Sequence, residues 1–408
     1  METWNKIRLG SACRTNTDSY SPKEKWDFVN YLDTGNITNN TIDSIQYIDL
    51  TKEKLPSRAR RKVRTDSIVY STVRPNQHHF GIIKSQPENF LVSTGFTVID
   101  VDTNVLNADF LYYLLTQNTL VEALHAIAEQ STSAYPSIKP SDIENLEIEI
   151  PDILTQKKIA NILNSLDGKV TQNNEINKNL EQQAQTIFKS WFVDFEPFGG
   201  VQPSEMQFIP LQELCKVVTK GTTPTTLGKS FTNSGINFIK AESIHDNHSI
   251  DSSKFAFIDE ETNALLKRSI IKANDIVFTI AGTLGRFAMV DNSMLPANTN
   301  QAVAIIRPDE TKVTPAYLYS FFIGNWHNEY YSKRIQQAVQ ANLSLTTIKS
   351  LPIAVLNDTT MSNYDELVSP LFALMKNNEE ENRRLSKLRD TLLPKLMSGE
   401  LDVSDIDF

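Results

Sequence analysis

A dense run of positive charge lies in the first quarter of the chain, at residues 52–64 (KEKLPSRARRKVR). The run holds seven Lys or Arg residues against a single Glu. Because Arg and Lys side chains bind phosphate groups, this composition is typical of a surface that contacts a phosphate backbone. The whole chain carries a formal net charge of −9, so such a contact would be confined to one face. A solvated basic loop explains the same run equally well.

Several short motifs resemble catalytic or metal sites and fail on spacing. Residues 228–230 (GKS) match the end of a phosphate-binding loop, but that loop needs a glycine where Thr223 stands. The two histidines of HDNH (245–248) have no further ligands nearby, which favours a surface turn over a metal site. PDETK (308–312) crowds its acids and its lysine, and it predicts a strand-to-helix turn. No Gly-x-Ser-x-Gly nucleophile elbow occurs, so we expect no active site.

Length and cysteine content bound the class of protein. A chain of 408 residues with 40% apolar residues predicts two or three globular domains. The only two cysteines, Cys13 and Cys215, argue against a disulfide framework and favour a reducing compartment. The sequence has no run of about 18 apolar residues, and METWNKIRLGSAC at its start lacks the apolar core of a signal peptide. We therefore expect a cytoplasmic protein without a membrane span.

The elements that must position the basic residues occur twice. The two repeats align at residues 6–13 with 208–215, 67–71 with 275–279, 110–118 with 317–325, and 173–187 with 378–392. The offsets are 202, 208, 207 and 205 residues, so small insertions separate the anchors. Each repeat begins with short alternating stretches that predict strands and closes with a long helical stretch. The second repeat begins near residue 208, after a linker rich in Gly and Pro.

Each long helical stretch has residues spaced by three and four, the pattern of a coiled-coil seam. The predicted seam positions are Ile159, Ile162, Leu166, Val170, Asn173, Asn177, Leu180, Ala184, Ile187 and Trp191, then Tyr364, Leu367, Leu371, Met375, Asn378, Asn382, Leu385, Arg389, Leu392 and Leu396. A core helix of a bundle would explain either helix alone. Two copies in one chain most simply pack on each other, antiparallel about a pseudo-twofold axis.

In that antiparallel register, Asn173 faces Asn382 and Asn177 faces Asn378. Paired asparagines within an apolar seam fix register and orientation at a cost in stability. Such a helix pair would hold two domains at a set distance. This geometry suits a target with two half-sites, and half-sites on duplex DNA lie about 34 Å apart per helical turn.

Motifs at the helix ends resemble those of a known family. QTIFKSWFVDFEPF (185–198) and LRDTLLPKLMSGEL (388–401) are similar to the conserved-region ends of the specificity subunit of type I restriction–modification enzymes. KVVTKGTTPTT (216–226) resembles the Gly-Thr-Pro loop of that family's target recognition domains, and AGTLGR (281–286) resembles its later Gly-Thr-x-Gly turn. The first repeat departs from this pattern, because CRTNTDSYSPK (13–23) has no Gly-Thr-Pro. STVRPN likewise stands where the second repeat has TIAGTL.

The repeat and the resemblance together imply an α+β fold. Two pseudo-twofold-related, β-rich target recognition domains would be joined by two long antiparallel helices that form a coiled coil. The expected boundaries are 1–150 for recognition domain 1, 151–197 for the central helical spacer, 198–356 for recognition domain 2, and 357–408 for the C-terminal helical spacer and its acidic tail.

The resemblance also implies a division of labour among subunits. Each recognition domain would read one half of a bipartite asymmetric DNA sequence, and the helix pair would set the unread spacer. Two modification subunits with S-adenosylmethionine-dependent adenine methyltransferase activity would dock on the helices, and two restriction subunits using ATP and Mg²⁺ would join for cleavage. This chain would bind no cofactor or metal, and it lacks the Asn-Pro-Pro-aromatic motif of such a methyltransferase.

A coiled-coil structural adaptor without DNA specificity is the alternative function. DNA binding distinguishes the two functions. A specificity subunit binds DNA selectively and loses affinity as the salt concentration rises, whereas a structural adaptor has no DNA affinity.

Candidate DNA contacts follow from residue type, since Arg favours guanine and Asn or Gln favours adenine in bidentate pairs. In the first repeat the candidates are Arg58, Arg60, Arg61, Lys62, Arg64, Arg74, Asn76, Gln77, His78 and His79. In the second repeat they are Lys220, Thr222, Thr223, Lys229, Lys240, Arg286, Asn300 and Gln301. RPNQHHF (74–80) is expected on a loop between two strands, where a polar hairpin tip without function is the alternative.

Overall fold

The computed structural model describes residues 4–131, 136–326 and 343–406. These residues form two compact units. The first unit is Met1–Thr171 together with Asn382–Phe408, and the second unit is Gln172–Glu381. Each of two long helices contributes one segment to each unit.

The first unit combines short strands with short helices. Its strands are β1 (Asn5–Arg8), β2 (Cys13–Thr15), β3 (Phe28–Leu32), β4 (Ile37–Thr38), β5 (Thr41–Ile42), β6 (Gln46–Asp49), β7 (Ala59–Arg61), β8 (Ser67–Ser71), β9 (Phe80–Ile83), β10 (Phe90–Ser93), β11 (Phe96–Val101) and β12 (Glu147–Ile150). Its shorter helices are α1 (Ala108–Leu115), α2 (Asn118–Glu129) and α3 (Pro140–Glu144). The first long helix, α4 (Ile153–Phe192), follows β12 and has 40 residues.

The second unit is built in the same manner. Its strands are β13 (Gln207–Pro210), β14 (Cys215–Lys220), β15 (Ile236–Ile239), β16 (Ala256–Ile258), β17 (Ile276–Thr279), β18 (Phe287–Met289), β19 (Ala297–Thr299), β20 (Val303–Pro308) and β21 (Pro352–Val355). Its shorter helices are α5 (Glu260–Leu265), α6 (Pro315–Ile323) and α7 (Leu345–Lys349). The second long helix, α8 (Asp358–Met397), follows β21 and also has 40 residues.

Two four-stranded sheets form the body of the first unit. One is antiparallel with the order β2-β11-β8-β9, and the other has the order β6-β3-β10-β7 with β10 parallel to β3. Strand β8 is buried throughout because its two faces belong to different cores. Ile68 and Tyr70 pack in one core, and Val69 packs in the other. Strands β1 and β12 pair separately, so the last strand of the domain returns to its first.

The second unit repeats this topology. The antiparallel order β14-β20-β17-β18 corresponds to β2-β11-β8-β9, and β16-β15-β19, with β15 parallel to β19, corresponds to β6-β3-β10. Strands β13 and β21 pair as β1 and β12 do. Helices α4 and α8 begin and end at the offset of 205 residues that the sequence predicted. The predicted α+β fold, with two β-rich domains and long helices, is confirmed.

The segments of the two long helices that lie in the second unit run antiparallel. Asn378 Nδ2 donates to Asn177 Oδ1 at 2.7 Å, and Asn177 Nδ2 donates to the carbonyl oxygen of Met375 at 3.1 Å. Further along α4, Phe192 packs edge-on against Tyr364, with ring centroids 5.0 Å apart. Asn177 and Asn378 are the residues that the register count placed face to face.

Asn173 and Asn382, the other predicted pair, belong to different units, and their pairing stays a prediction. Within the second unit, Asn173 is buried and donates from Nδ2 to Glu381 Oε2 at 2.7 Å. The helix seam therefore accommodates polar side chains by hydrogen bonding them across the two helices.

The helix segments of the first unit are also antiparallel. Arg389 of α8 donates from Nη1 to Asp167 Oδ1 of α4 at 2.9 Å. Nearer the start of α4, Lys158 donates to the carbonyl oxygen of Ser404, beyond the end of α8, at 2.6 Å. Asp167 also accepts a hydrogen bond from the Tyr113 hydroxyl of α1 at 2.8 Å. A polar network thus joins α1, α4 and α8 in this unit.

Where the helices meet the domains, the predicted seam is wrong at Leu367 and misses other buried residues. Leu367 was placed in the seam but is 49% exposed, whereas Val368 is fully buried. Near the end of α4, the predicted seam residue Trp191 does pack against Tyr364 of α8, with ring centroids 5.7 Å apart, but Phe188 and Phe192, which the seam did not include, are more deeply buried. The buried face is wider than a two-helix seam because these turns pack against α6 as well as against the other helix.

The sheets of both units carry a buried carboxylate whose partners differ. In the second unit, Arg307 donates from Nε and Nη2 to the fully buried Asp275 at 2.7 and 2.6 Å. The aligned residues of the first unit are Asp100 for Arg307 and Ser67 for Asp275. Ser67 donates to Asp100 at 2.6 Å, and Arg64 Nε does so at 3.1 Å. The acid therefore lies on opposite strands in the two units.

Among the described residues, no helix combines the length and the apolar character needed to cross a lipid bilayer.

Candidate nucleic-acid interface

The basic run of the first unit lies along the edge strand β7 and the turn after it. Arg58 and Arg60 are exposed. On one side of β7, Arg61 pairs with Val92 of β10. On the other side, the backbone N–H of Tyr20 donates to the carbonyl oxygen of Arg60 at 2.8 Å. The main chain is therefore held from both sides while the Arg60 side chain stays in solvent.

The three cations that follow Arg60 in the run, Arg61, Lys62 and Arg64, are drawn towards the protein. Lys62 Nζ lies 2.5 Å from Glu24 Oε2, and this hydrogen bond lowers the pKa of Glu24. Arg64 donates to Asp100 at 3.1 Å, although 67% of its side chain is exposed. Arg61 Nε is buried without a hydrogen-bond partner in the described part of the chain, and burial lowers the pKa of its guanidinium.

The loop that joins β8 to β9 in the first unit has an exposed polar tip. Arg74, Asn76 and Gln77 lie on it with exposed side chains. Pro75 is buried beneath the tip, and Val73 forms a bridge with Ser137. The loop is thus anchored at its base and presents one guanidinium and two amides, the groups that read guanine and adenine edges.

The two histidines of this loop serve mainly to orient it. His79 Nδ1 lies 2.7 Å from the carbonyl oxygen of Ile37 and 3.3 Å from Thr38 Oγ1. The His78 ring packs edge-on against Phe80, with centroids 5.5 Å apart. Burial, and then the neighbouring His79, lower the pKa of His78. Both rings are half-buried, so less of their surface is open to a ligand than at the tip.

In the second unit, the loop after β14 of one sheet contacts the loop after β19 of the other sheet. Gly221 donates from its backbone N–H to the carbonyl oxygen of Asn300 at 3.1 Å, and a Cβ atom there would lie 1.9 Å from the Thr299 carbonyl oxygen. Only glycine fits this close approach. Thr223 Oγ1 donates to Gln301 Oε1. The structure therefore brings together the predicted residues Lys220, Thr222, Thr223, Asn300 and Gln301.

Three other predicted contacts of the second unit are held by carboxylates. The ion pairs are Lys229 with Glu261 at 2.7 Å, Lys240 with Glu242 at 2.5 Å, and Arg286 with Asp246 at 2.6 Å. The hydrogen bond to Glu261 raises the pKa of Lys229. Binding a phosphate with these cations would exchange one anion for another. Their net contribution to DNA affinity would therefore be smaller than that of an unpaired cation.

Arg268 is a candidate that residue type and motif did not single out. It is exposed on the turn between α5 and β17. Its Nη2 atom lies 3.5 Å from both the carbonyl oxygen of Lys220 and Thr222 Oγ1. No carboxylate oxygen of the described residues lies within 4.0 Å of its guanidinium. The 208-residue offset of the repeat was the signal that could have found it, because it aligns Arg268 with Arg60.

Within the HDNH stretch, His248 is the residue that approaches α4. The His248 ring stacks on Phe287 with centroids 4.1 Å apart, and its Nε2 lies 3.8 Å from Glu181 Oε1. Burial lowers the pKa of His248 and raises that of Glu181. Within the described ranges, no group of three or more His, Cys, Asp or Glu side chains could hold a metal ion. His248 therefore acts as a packing contact between the domain of the second unit and its long helix.

Both units thus expose cationic and amide side chains on loops and turns, which suits binding to DNA phosphates and base edges. These side chains are Arg74, Asn76 and Gln77 in the first unit and Lys220, Arg268 and Gln301 in the second. The sequence model of the type I restriction modification DNA specificity domain matches residues 1–182 and 203–357. The chain belongs to this family. Specificity domains have a DNA-recognition role that is not catalytic. The two matched ranges include β1–β12 and β13–β21, and with them both candidate surfaces.

Similar specificity subunits span nearly the whole chain. The specificity subunit of the type I restriction enzyme HindI from Haemophilus influenzae is 26% identical, covering 98% of this chain and 100% of that protein. The MjaIX specificity subunit from Methanocaldococcus jannaschii is also 26% identical, covering 98% and 93%. A crystal structure of a type I restriction–modification S subunit from M. genitalium covers 97% and 96% at 16% identity, with a TM-score of 0.59, and shows the same fold.

Proposed function

We propose that each β-rich domain reads one half of a bipartite, asymmetric DNA sequence and that the helix pair sets the spacer between the halves. The observation that carries this proposal is that the family model matches the chain twice, once for each repeat, and that the two matched domains share the strand order of their main sheet. Two copies of a DNA specificity domain in one chain need two DNA segments to recognise. Their loops differ in sequence, so the two segments would differ as well.

The long helices are suited to the role of a spacer. A helix of 40 residues spans about 60 Å at about 1.5 Å per residue, which exceeds one turn of duplex DNA. The hydrogen bond between Asn177 and Asn378 favours one register, because a shifted register would leave both amides without a partner. A fixed register would keep the spacing between the two half-sites constant.

We further propose that this chain directs the chemistry of other subunits. Two modification subunits would dock on the helices and carry the S-adenosylmethionine-dependent adenine methyltransferase. Two restriction subunits, which use ATP and Mg²⁺, would join for cleavage. This chain would itself bind none of these cofactors and would act in the cytoplasm. The membership in a DNA specificity family supports this division of roles.

The test of this function is to co-express the chain with its cognate modification subunits and to map methyladenine across the host genome. One gapped motif is expected. Replacing residues 1–150 with those of a relative should then change one half of the motif and leave the other half unchanged, since that boundary falls between β12 and α4. A change in both halves, or the absence of any methylated motif, would contradict the proposal.

A further inference from the structure

Arg60 and Arg268 occupy the same position in the two repeats. The turns before β8 and β17 are equivalent: Asp66 and Asn274 both adopt positive φ angles, 67° and 64°. Their backbone N–H groups donate to aligned residues, Ile83 at 2.8 Å and Val290 at 2.9 Å. Arg60 lies six residues before Asp66, and Arg268 lies six residues before Asn274.

The strand pairing beside these arginines supports the same alignment. In the first unit, Arg61 is opposite Val92 of β10. In the second unit, Ile271 is opposite Ala297 of β19, the strand that corresponds to β10. Both segments run antiparallel to that strand. Arg60 lies within β7, whereas Arg268 lies on a 3-10 turn three residues before its bridge, so the alignment is shared although the local backbone differs.

Each arginine also lies beside the loop that follows β2 in the first unit or β14, its equivalent, in the second. The backbone N–H of Tyr20 donates to the carbonyl oxygen of Arg60 at 2.8 Å, and Arg268 Nη2 lies 3.5 Å from Thr222 Oγ1. These loops lead into aligned turns that begin at Pro22 and Pro224. Ser21–Pro22 thus takes the place of Thr223–Pro224, although the first repeat lacks the Gly-Thr-Pro sequence.

Both arginines are exposed, and neither has a carboxylate oxygen of the described residues within 4.0 Å. Their neighbours differ in this respect, because Lys62 is paired with Glu24 and Lys229 with Glu261. An unpaired guanidinium on a fixed main chain can bind an anion without first breaking an ion pair.

The neighbouring loops, by contrast, are not conserved between the repeats. The loop after β8 presents Arg74, Asn76 and Gln77, whereas the corresponding loop after β17 contains Gly282, Thr283 and Gly285. Two domains that read different half-sites should differ where they touch base edges. The sugar–phosphate backbone is the same in every half-site, so the residues that contact it should be the same in both domains.

We propose that Arg60 and Arg268 are matched backbone contacts, one for each half-site, which bind DNA phosphates and position each domain without reading sequence. The proposal rests on the proposed function. According to this proposal, Arg60 and Arg268 hold their domains on the DNA duplex, and the adjoining loops recognise the bases.

The test uses the complete chain in complex with its modification subunits and a duplex that carries the methylated motif. The variants are Arg60→Gln, Arg268→Gln and the double variant, with Lys267→Gln as the control. Lys267 is the exposed cation beside Arg268, but its counterpart in the first repeat is the buried Ala59. Affinity is measured as a function of salt, and the methylated motif is mapped for each variant.

Each arginine substitution should weaken binding and reduce the slope of log affinity against log salt by about 1, and the double variant by about 2. The motif should stay the same, and the midpoint of thermal unfolding should not change. An altered base preference in either half of the motif would assign the arginine to reading and overturn the proposal. An unchanged salt slope, or an equal loss for Lys267→Gln, would also overturn it. If the complex that contains the unsubstituted chain did not bind DNA selectively, this would instead contradict the proposed function.

Discussion

The side-chain amide of Asn378 donates to the side-chain oxygen of Asn177 at 2.7 Å, across the two long helices of the second unit. Asn378 is 9% exposed, so water has little access to its amide and cannot readily take the place of Asn177 as a hydrogen-bond partner. Substituting Asn378 removes the donor to Asn177 Oδ1, while Asn177 Nδ2 keeps its hydrogen bond to the Met375 carbonyl oxygen.

We expect Asn378→Leu to lower the free energy of unfolding by about 1–3 kcal/mol, because it leaves Asn177 Oδ1 without its donor. Replacing both asparagines with leucine should recover that loss, since two apolar side chains can pack in the seam. Urea titration of the three proteins measures the difference. The control is Asn377→Leu at the exposed neighbouring position. A loss for the control equal to that for Asn378→Leu would show that the hydrogen bond is not the cause.

Two glycines should respond oppositely to the same substitution. Gly168 lies in the exposed middle of α4 with nothing within 4 Å of a Cβ atom, so Gly168→Ala should raise the free energy of unfolding by about 0.5–1 kcal/mol. Gly221→Ala places a Cβ atom 1.9 Å from the Thr299 carbonyl oxygen. It should cost about 1–3 kcal/mol and displace the loop that carries Thr222 and Thr223.

Urea titration gives the stabilities of both glycine variants, and DNA binding by the complex reports on the loop. We expect Gly168→Ala to bind as the unsubstituted chain does and Gly221→Ala to bind more weakly. Unchanged stability of Gly221→Ala would contradict the close approach of the two loops.

His248 should make the stability of the second unit depend on pH. Burial lowers its pKa below the ordinary value of 6.5, so the unfolded chain takes up a proton first as pH falls. Its stabilising contribution is complete above the unfolded pKa and is lost as pH falls below it. Glu181, whose pKa is raised by burial, has the opposite effect, because the folded chain takes up its proton first. Asp246 also faces His248 and favours its protonated form.

We expect the free energy of unfolding to fall between about pH 7 and pH 5, and His248→Gln to remove most of that slope. The measurement is urea titration at a series of pH values. Glu181→Gln serves as the control and should keep the slope or steepen it, because it removes the opposing contribution. If His248→Gln kept the full slope, the titration would belong to another group.

The two exposed amides of the β8–β9 loop should affect recognition without affecting stability. Asn76→Ala combined with Gln77→Ala should change or relax one half of the methylated motif, since a good bidentate contact discriminates by about 1–3 kcal/mol. The other half should remain. The control is Gln130→Ala, an exposed amide at the end of α2 in the same unit. Genome-wide methyladenine mapping measures the motif, and an unchanged motif in the double variant would exclude these amides as base readers.

The sequence predicted the repeated features best. The offset of 205 residues holds at both ends of the long helices, and the register count paired Asn177 with Asn378. These features depend on periodicity, which is local and repeated. The prediction that Leu367 lies in the seam was wrong because α8 packs against a domain as well as against α4. Helical spacing alone does not show whether Leu367 or its apolar neighbour Val368 is the buried residue.

The candidate site was harder to predict because its electrostatics depend on distant residues. Arg286 is paired with Asp246 and Lys229 with Glu261, and the residue type alone gives no sign of these partners. The clustering of Thr223 with Gln301 depends on two loops that only the sheet topology brings together. The alignment of the repeats could have identified Arg268 as the counterpart of Arg60, but Arg268 lies outside any motif.

The placement of the buried carboxylate bears on how such chains can change over time. Asp100 and Asp275 occupy opposite sides of aligned strand pairs, each with a guanidinium from its own domain. Recombination that moved only one of these strands between the repeats would set two acids against each other, or leave a cation facing a hydroxyl. Recombination that moved a whole domain would transfer both partners together. New specificities would therefore arise more readily by exchange of entire domains than by patchwork within them.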